Sequence, residues 1–176
     1  MSAVDKSTAS ARHVAPTGQV IDITMLSATE RLAQVLARQA GWLRGKVVYL
    51  HGDLGVGKTT LARFLLHALG ETGKVKSPTY GLMESYQPPT CTVPGLKILH
   101  LDLYRLQDAE ELEYLGLRDL LDADTVLLVE WPERGQGVLP AADVLIELTQ
   151  TAAQRSAAIC PQALADALMA GMQNDV

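Results

Sequence analysis

Gly52-Asp53-Leu54-Gly55-Val56-Gly57-Lys58-Thr59 is the stretch on which the reading of this chain turns. It fits the pattern Gly, four residues, Gly-Lys, then Ser or Thr, and its neighbours give that pattern weight. Just before it, Val47-Val48-Tyr49-Leu50 is a short apolar and β-branched run, the mark of a buried strand. Just after it, Leu61, Phe64, Leu65, Ala68 and Leu69 recur at helical spacing until Gly70. Glycines between a strand and a helix let the backbone wrap closely round an anion with its N–H groups turned inward. The positive end of the helix points at the same anion. Lys58 is then placed to reach the β- and γ-phosphates of a nucleotide, and the Thr59 hydroxyl to ligate Mg²⁺. The dinucleotide fingerprint fails here, because Thr60 stands where its last glycine is required.

Outward from this turn, strands and helices alternate. Val20, Ile21 and Ile23 predict a short first strand. Ser27 with Glu30 three residues on reads as a capping box, opening a helix that runs to about Trp42 and breaks at Gly45. Residues 74–78 read as a loop and 80–87 as a strand, with Pro88-Pro89 and Pro94-Gly95 bracketing a turn. Residues 97–101 form another strand ending at Asp102, and 108–124, acidic and Leu-rich, one or two short helices. Thr125 to Val129 is the most apolar strand of all, ending at Glu130-Trp131. Two more strands follow, 144–148 and 157–160. The Leu164, Leu168, Met169, Met172 stripe marks a C-terminal helix whose apolar face packs on the core. The expected fold is α/β: a P-loop NTPase with a central mixed β-sheet flanked by helices.

Length and composition agree with one domain over 20–176, preceded by a disordered tail over 1–19 that is rich in Ser, Thr and Ala. That tail lacks the apolar stretch of a signal peptide, and no run approaches the ~20 residues of a membrane span. Cys91 and Cys160 make no disulfide framework and no Cys-x-x-Cys exists, so a reducing cytoplasm is expected. A formal charge of −5 argues against stand-alone binding to nucleic acid.

The nucleotide and its metal can be narrowed further. Guanine readout by Asn-Lys-x-Asp is absent, since the single Asn is Asn174 and none of the six Lys has Asp two residues on. ATP is favoured. A Mg²⁺–nucleotide site needs a carboxylate at the end of a nearby strand, and Asp102 and Glu130 both stand there. Ser77-Pro78-Thr79 lies where P-loop switches place a hydroxyl that senses the metal or the γ-phosphate, although a plain Ser-Pro turn fits the same position.

These pieces together resemble the TsaE (YjeE) family, ATPases of bacterial tRNA threonylcarbamoyladenosine biosynthesis. The matching stretches are GDLGVGKTT (52–60), SPTY (77–80), HLDLYRL (100–106), EYLGL (113–117) and EWPER (130–134), in the family's order and spacing over about residues 29–148. The resemblance implies an ATPase that hydrolyses ATP with two partner proteins, TsaB and TsaD. Those partners modify position 37 of tRNAs reading ANN codons, so tRNA is met only through the complex. It makes Thr79 a switch residue and Asp102 and Glu130 the Mg²⁺ and hydrolysis carboxylates. Trp131 becomes a functional neighbour of the nucleotide, and Tyr104 and Arg105 part of a second switch or partner surface. Thr29 falls on the adenine side. Val56 for the usual Ala and Tyr80 for Phe are departures that remove no phosphate ligand.

Two other readings share the cradle. A small-molecule or nucleotide kinase needs an Arg-rich acceptor pocket, and of nine Arg only Arg105, Arg118 and Arg134 fall near the nucleotide edge. A nucleotide-switched binding module needs no hydrolysis. The negative charge is local: residues 102–124 hold eight acids and two bases. That segment reads as a solvated face or, more sharply, as a docking surface for TsaB–TsaD.

Overall fold

A computed structural model describes residues 20–78 and 81–174. Expectations for the 1–19 tail and for Thr79 and Tyr80 therefore lie outside the described residues. In chain order the elements are β1 (Val20–Asp22), α1 (Leu26–Ala37), α2 (Ala40–Leu43), β2 (Val47–His51), α3 (Lys58–Ala68), β3 (Met83–Tyr86) and β4 (Lys97–Asp102). Then come α4 (Glu111–Tyr114), α5 (Leu117–Leu120), β5 (Thr125–Glu130), a 3₁₀ turn (Pro132–Gly135), β6 (Val144–Gln150), β7 (Arg155–Cys160) and α6 (Gln162–Asn174).

The strands form one seven-stranded sheet in the order β1-β7-β6-β2-β5-β4-β3. Its centre, β6-β2-β5-β4, is parallel, and β1, β7 and β3 join antiparallel at the two edges. The sheet is mixed, as the sequence predicts. β5 lies inside the parallel part, between β2 and β4, and is buried along its whole length, which is why its sequence reads as a continuous apolar run rather than an alternating one. Alternation reappears between the faces. Val126 and Leu128 point into a core built with Leu32 and Leu36 of α1, Leu61 and Leu65 of α3, and Leu164 and Leu168 of α6. Leu127 and Val129 point into a second core with Leu99, Leu101, Leu112 and Leu117, roofed by α4 and α5. Each fully buried leucine contributes about 2 kcal/mol. By the same parity Ile98, His100 and Asp102 of β4 share the face of α3, and so does Glu130 of β5.

Four expectations need correction. The capping box at Ser27 does not form: α1 begins at Leu26 with Met25 as an uncapped N-terminal residue. The Asp22 carboxylate takes the Thr24 N–H at 2.8 Å, and Met25 accepts the first helical bond from Ala28, so the chain turns into the helix two residues early. The predicted helix to Trp42 is broken after Ala37 into α1 and α2. The strand expected from residue 80 begins only at Met83, because Leu82 adopts φ 61° while its carbonyl accepts the Asp102 N–H. β7, by contrast, starts two residues earlier than its apolar content suggests, paired to β6 and β1.

The acidic segment is less bare than its composition. Asp122 pairs with Lys97 at 2.8 Å and Asp124 with Arg44, both bases from outside the segment. The Lys97 hydrogen bond, with those from Thr125 and the Asp124 N–H, holds the Asp122 carboxyl down at about 2. Among the described residues, no helix is long and apolar enough to cross a membrane.

Candidate functional site: a phosphate cradle with two strand-end carboxylates

The parallel strands β2, β5 and β4 end side by side, and each delivers chemistry at its carboxyl end. Register puts Leu50 beside Glu130 and Glu130 beside Asp102. α/β sheets bind ligands along this edge.

β2 runs into the loop 52–57. Gly52 has φ 136°, and a Cβ there would lie 2.3 Å from the Leu148 carbonyl oxygen of β6, so only glycine lets the loop leave the sheet at this point. Gly57, at φ 117°, is the residue from which α3 starts. The amides of the first turn of α3 have no partner within the helix and open onto the loop. A cavity of about 160 Å³ lies there, lined by Leu54, Gly55, Gly57, Lys58, Thr59, Thr60, Glu130 and Trp131. Asp53 contributes its carbonyl, and Val56 is buried beneath the loop as a packing residue.

Lys58 is only 4% exposed. Its ammonium donates to the carbonyls of Gly52 at 2.5 Å and Asp53 at 2.8 Å, and lies 3.7 Å from the centre of the Trp131 ring. Burial lowers its pKa, against the opposing pull of Glu130, Glu133, Asp102 and Asp53. A cation held by neutral carbonyls and a ring face keeps its charge available to an anion. Trp131 reaches this place through a left-handed backbone, φ 59°, a conformation a bulky side chain adopts only under constraint. Tyr104 packs on its ring with 5.0 Å between centroids.

Glu130 is 1% exposed, and both its oxygens are engaged. Thr59 donates its hydroxyl to Oε2 at 2.7 Å, and His100 Nε2 lies within hydrogen-bond distance of Oε1 at 2.9 Å. Asp102, 4% exposed, faces other groups. Its Oδ2 accepts the Ser77 hydroxyl at 2.5 Å and its Oδ1 the Tyr104 N–H at 3.2 Å. The structure thus brings Lys58, Thr59, Thr60, Glu130 and Trp131 together and ties Asp102 to the segment that leads to Thr79. Thr29 is outside the cavity lining: its hydroxyl bonds the Ile23 carbonyl at 3.4 Å.

These residues fit a magnesium nucleotide. Among the described residues, no three His, Cys, Asp or Glu side chains are grouped to hold a metal by themselves. Magnesium does not need such a cage, because it keeps waters and shares phosphate oxygens with one or two protein ligands. The Thr59–Glu130 oxygen pair beside a phosphate cradle is that kind of donor set. His100 is the residue sequence reasoning passed over. It stands inside the HLDLYRL stretch, and its parity with Asp102 on β4 was the signal available. A larger cavity, about 590 Å³, lies against Leu112, Leu117 and Leu139 of the second core and shares no lining residue with the cradle.

The family model for the threonylcarbamoyl adenosine biosynthesis protein TsaE matches residues 23–157. The chain is 46% identical over 127 residues to the tRNA threonylcarbamoyladenosine biosynthesis protein TsaE of Haemophilus influenzae, covering 72% of this chain and 77% of that protein. It is 35% identical to the protein of that name from Rickettsia bellii, over 71% of this chain and 84% of that one. The crystal structure of Bacillus subtilis YdiB superposes with a TM-score of 0.65 over 89% of this chain and 95% of that one, at 22% identity, which speaks for the fold. The P-loop, the mixed sheet and the relatives agree, and the chain belongs to the TsaE family.

Proposed function

We propose that the protein is an ATP hydrolase of low intrinsic activity that works with TsaB and TsaD, its ATP cycle supporting their turnover. Family membership gives it a role in tRNA threonylcarbamoyladenosine biosynthesis. The observation that carries the hydrolase reading is the buried Lys58 beside the Thr59–Glu130 pair on one cradle. The first-turn amides of α3 and the Lys58 ammonium bind the β- and γ-phosphates. Thr59 and Glu130 would hold Mg²⁺, with Asp102 close enough in the sheet to share the task through water. When bound, the ion neutralises charge on the phosphate oxygens. Trp131 lays its ring against the Lys58 ammonium, and Tyr104 packs on that ring. Asp102 orients the Ser77 segment, and Thr79, two residues on, is the proposed switch hydroxyl. Thr29 is assigned to the adenine side on the resemblance alone.

Partners carry the RNA contact, consistent with the net charge of −5. Two free cysteines and a role in tRNA modification support a cytoplasmic setting. The test is phosphate release from ATP, alone and with TsaB and TsaD. Release stimulated by the partners and lost in Lys58→Ala supports the reading. Transfer of phosphate to a small-molecule acceptor would make the protein a kinase instead, and nucleotide binding without release would make it a switch module.

A further inference from the structure

We propose that His100 is a positioning residue that commits one oxygen of Glu130, so that Glu130 meets the nucleotide site through Oε2 alone. The proposal rests on the reading of the cradle as a Mg²⁺–ATP site and specifies how its carboxylate is held. A glutamate carboxyl turns readily about its last torsion, which has a broad, roughly two-fold profile. Here each oxygen has its own donor: His100 Nε2 on Oε1 at 2.9 Å and Thr59 on Oε2 at 2.7 Å. Turning the carboxylate breaks both bonds of a residue that is 1% exposed, and an unmatched buried acceptor is costly.

The two donors differ in freedom. His100 is wholly buried in the middle of β4, flanked in the sheet by Leu128 of β5 and Glu84 of β3. It cannot follow a ligand without moving the sheet. Thr59 lines the cavity and can give up Oε2 when a ligand arrives. His100 itself is not part of that lining, so it acts only through Glu130. Its other ring nitrogen, Nδ1, is buried with no hydrogen-bond partner among the described residues. An ionised Glu130 accepts only, so the geometry assigns the imidazole proton to Nε2. Partners of this kind, one bond behind a metal ligand, set metal affinity by fixing the ligand's orientation.

The experiment compares the affinity for ATP with Mg²⁺ and with EDTA, by calorimetry, in the full-length protein. His100→Leu keeps the side-chain bulk and removes the donor. His100→Gln returns an amide N–H near the place of Nε2. The expected result is that His100→Leu lowers the Mg²⁺ enhancement of ATP affinity by about 10-fold or more while metal-free affinity holds, and that His100→Gln recovers most of it. An unchanged enhancement in His100→Leu overturns the proposal, and so does an equal loss with and without metal, which is what a packing role produces. Should His100→Leu not fold, nitrogen NMR of the wild-type imidazole decides: the Nε2–H tautomer is expected, and the Nδ1–H tautomer would overturn the assignment. A wild-type protein that binds no ATP would instead remove the underlying site reading, a different failure.

Discussion

Glu130 and Asp102 occupy the same station on adjacent parallel strands, opposite each other in register, and yet they serve different parts of the molecule. Glu130, at the end of β5, is clamped between the core histidine of β4 and the first turn of α3. Asp102, at the end of β4, holds a hydroxyl and an amide from two loops, Ser77 before β3 and Tyr104 after β4. One carboxylate is tied to rigid elements and the other to connections. The difference comes from what lies over each strand end: α3 covers β5, whereas loops cover β4. A metal ligand belongs on the rigid side, where orientation is fixed before ligand arrives. A residue that senses the ligand belongs where segments can rearrange.

Four substitutions probe this division. The largest effect is expected from Lys58→Ala, which removes the cation whose charge both strand-end carboxylates feel. ATP affinity should fall about 100-fold, read by calorimetry, and phosphate release by more than about 10³-fold, because charge-assisted bonds to phosphate are lost in both ground and transition states. Glu130→Gln comes next: phosphate release should fall by about 10²–10³ and the Mg²⁺ dependence of ATP binding should shrink, with melting temperature close to wild type. Asp102→Asn should reduce release by about 10-fold yet leave the Mg²⁺ dependence of binding in place. Hydrogen exchange at the Ser77 amide and its neighbours should speed up. If Asp102→Asn abolished the Mg²⁺ dependence as Glu130→Gln does, the two carboxylates would be joint ligands and the division would dissolve. The smallest effect belongs to Trp131→Leu, which removes the ring from Lys58. A cation–π contact of about 0.5–1 kcal/mol translates into a few-fold change in ATP affinity, measurable by the same titration.

Much of this was legible in the chain. The eight residues from Gly52 to Thr59 announce the strand–turn–helix unit because they lie between period-two and period-3.6 patterns. Asp102 and Glu130 were visible as carboxylates closing apolar strands, and the relatively strand-rich second half pointed to a mixed sheet. What stayed hidden depends on partners far along the chain. Ser27 looked like a cap, but the Asp22 carboxylate had already turned the backbone. Asp122 and Asp124 read as part of a solvated or docking face, while Lys97 and Arg44 reach them across the fold. The start of β3 depends on the backbone of Leu82, a residue of ordinary strand character held at positive φ. The contrast between Glu130 and Asp102 could not be read at all, since it arises from residues 71 and 25 positions away that the topology brings over each strand end.

In the proposed function this strand-end site hydrolyses ATP in order to renew a partner complex. The most direct measurement counts threonylcarbamoyladenosine residues formed per complex, with TsaB, TsaD, tRNA and the same threonylcarbamoyl donor in every arm, and either ATP or a non-hydrolysable analogue on this protein. Many turnovers are expected with ATP and about one or fewer with the analogue. Equal turnover numbers in the two arms would contradict it.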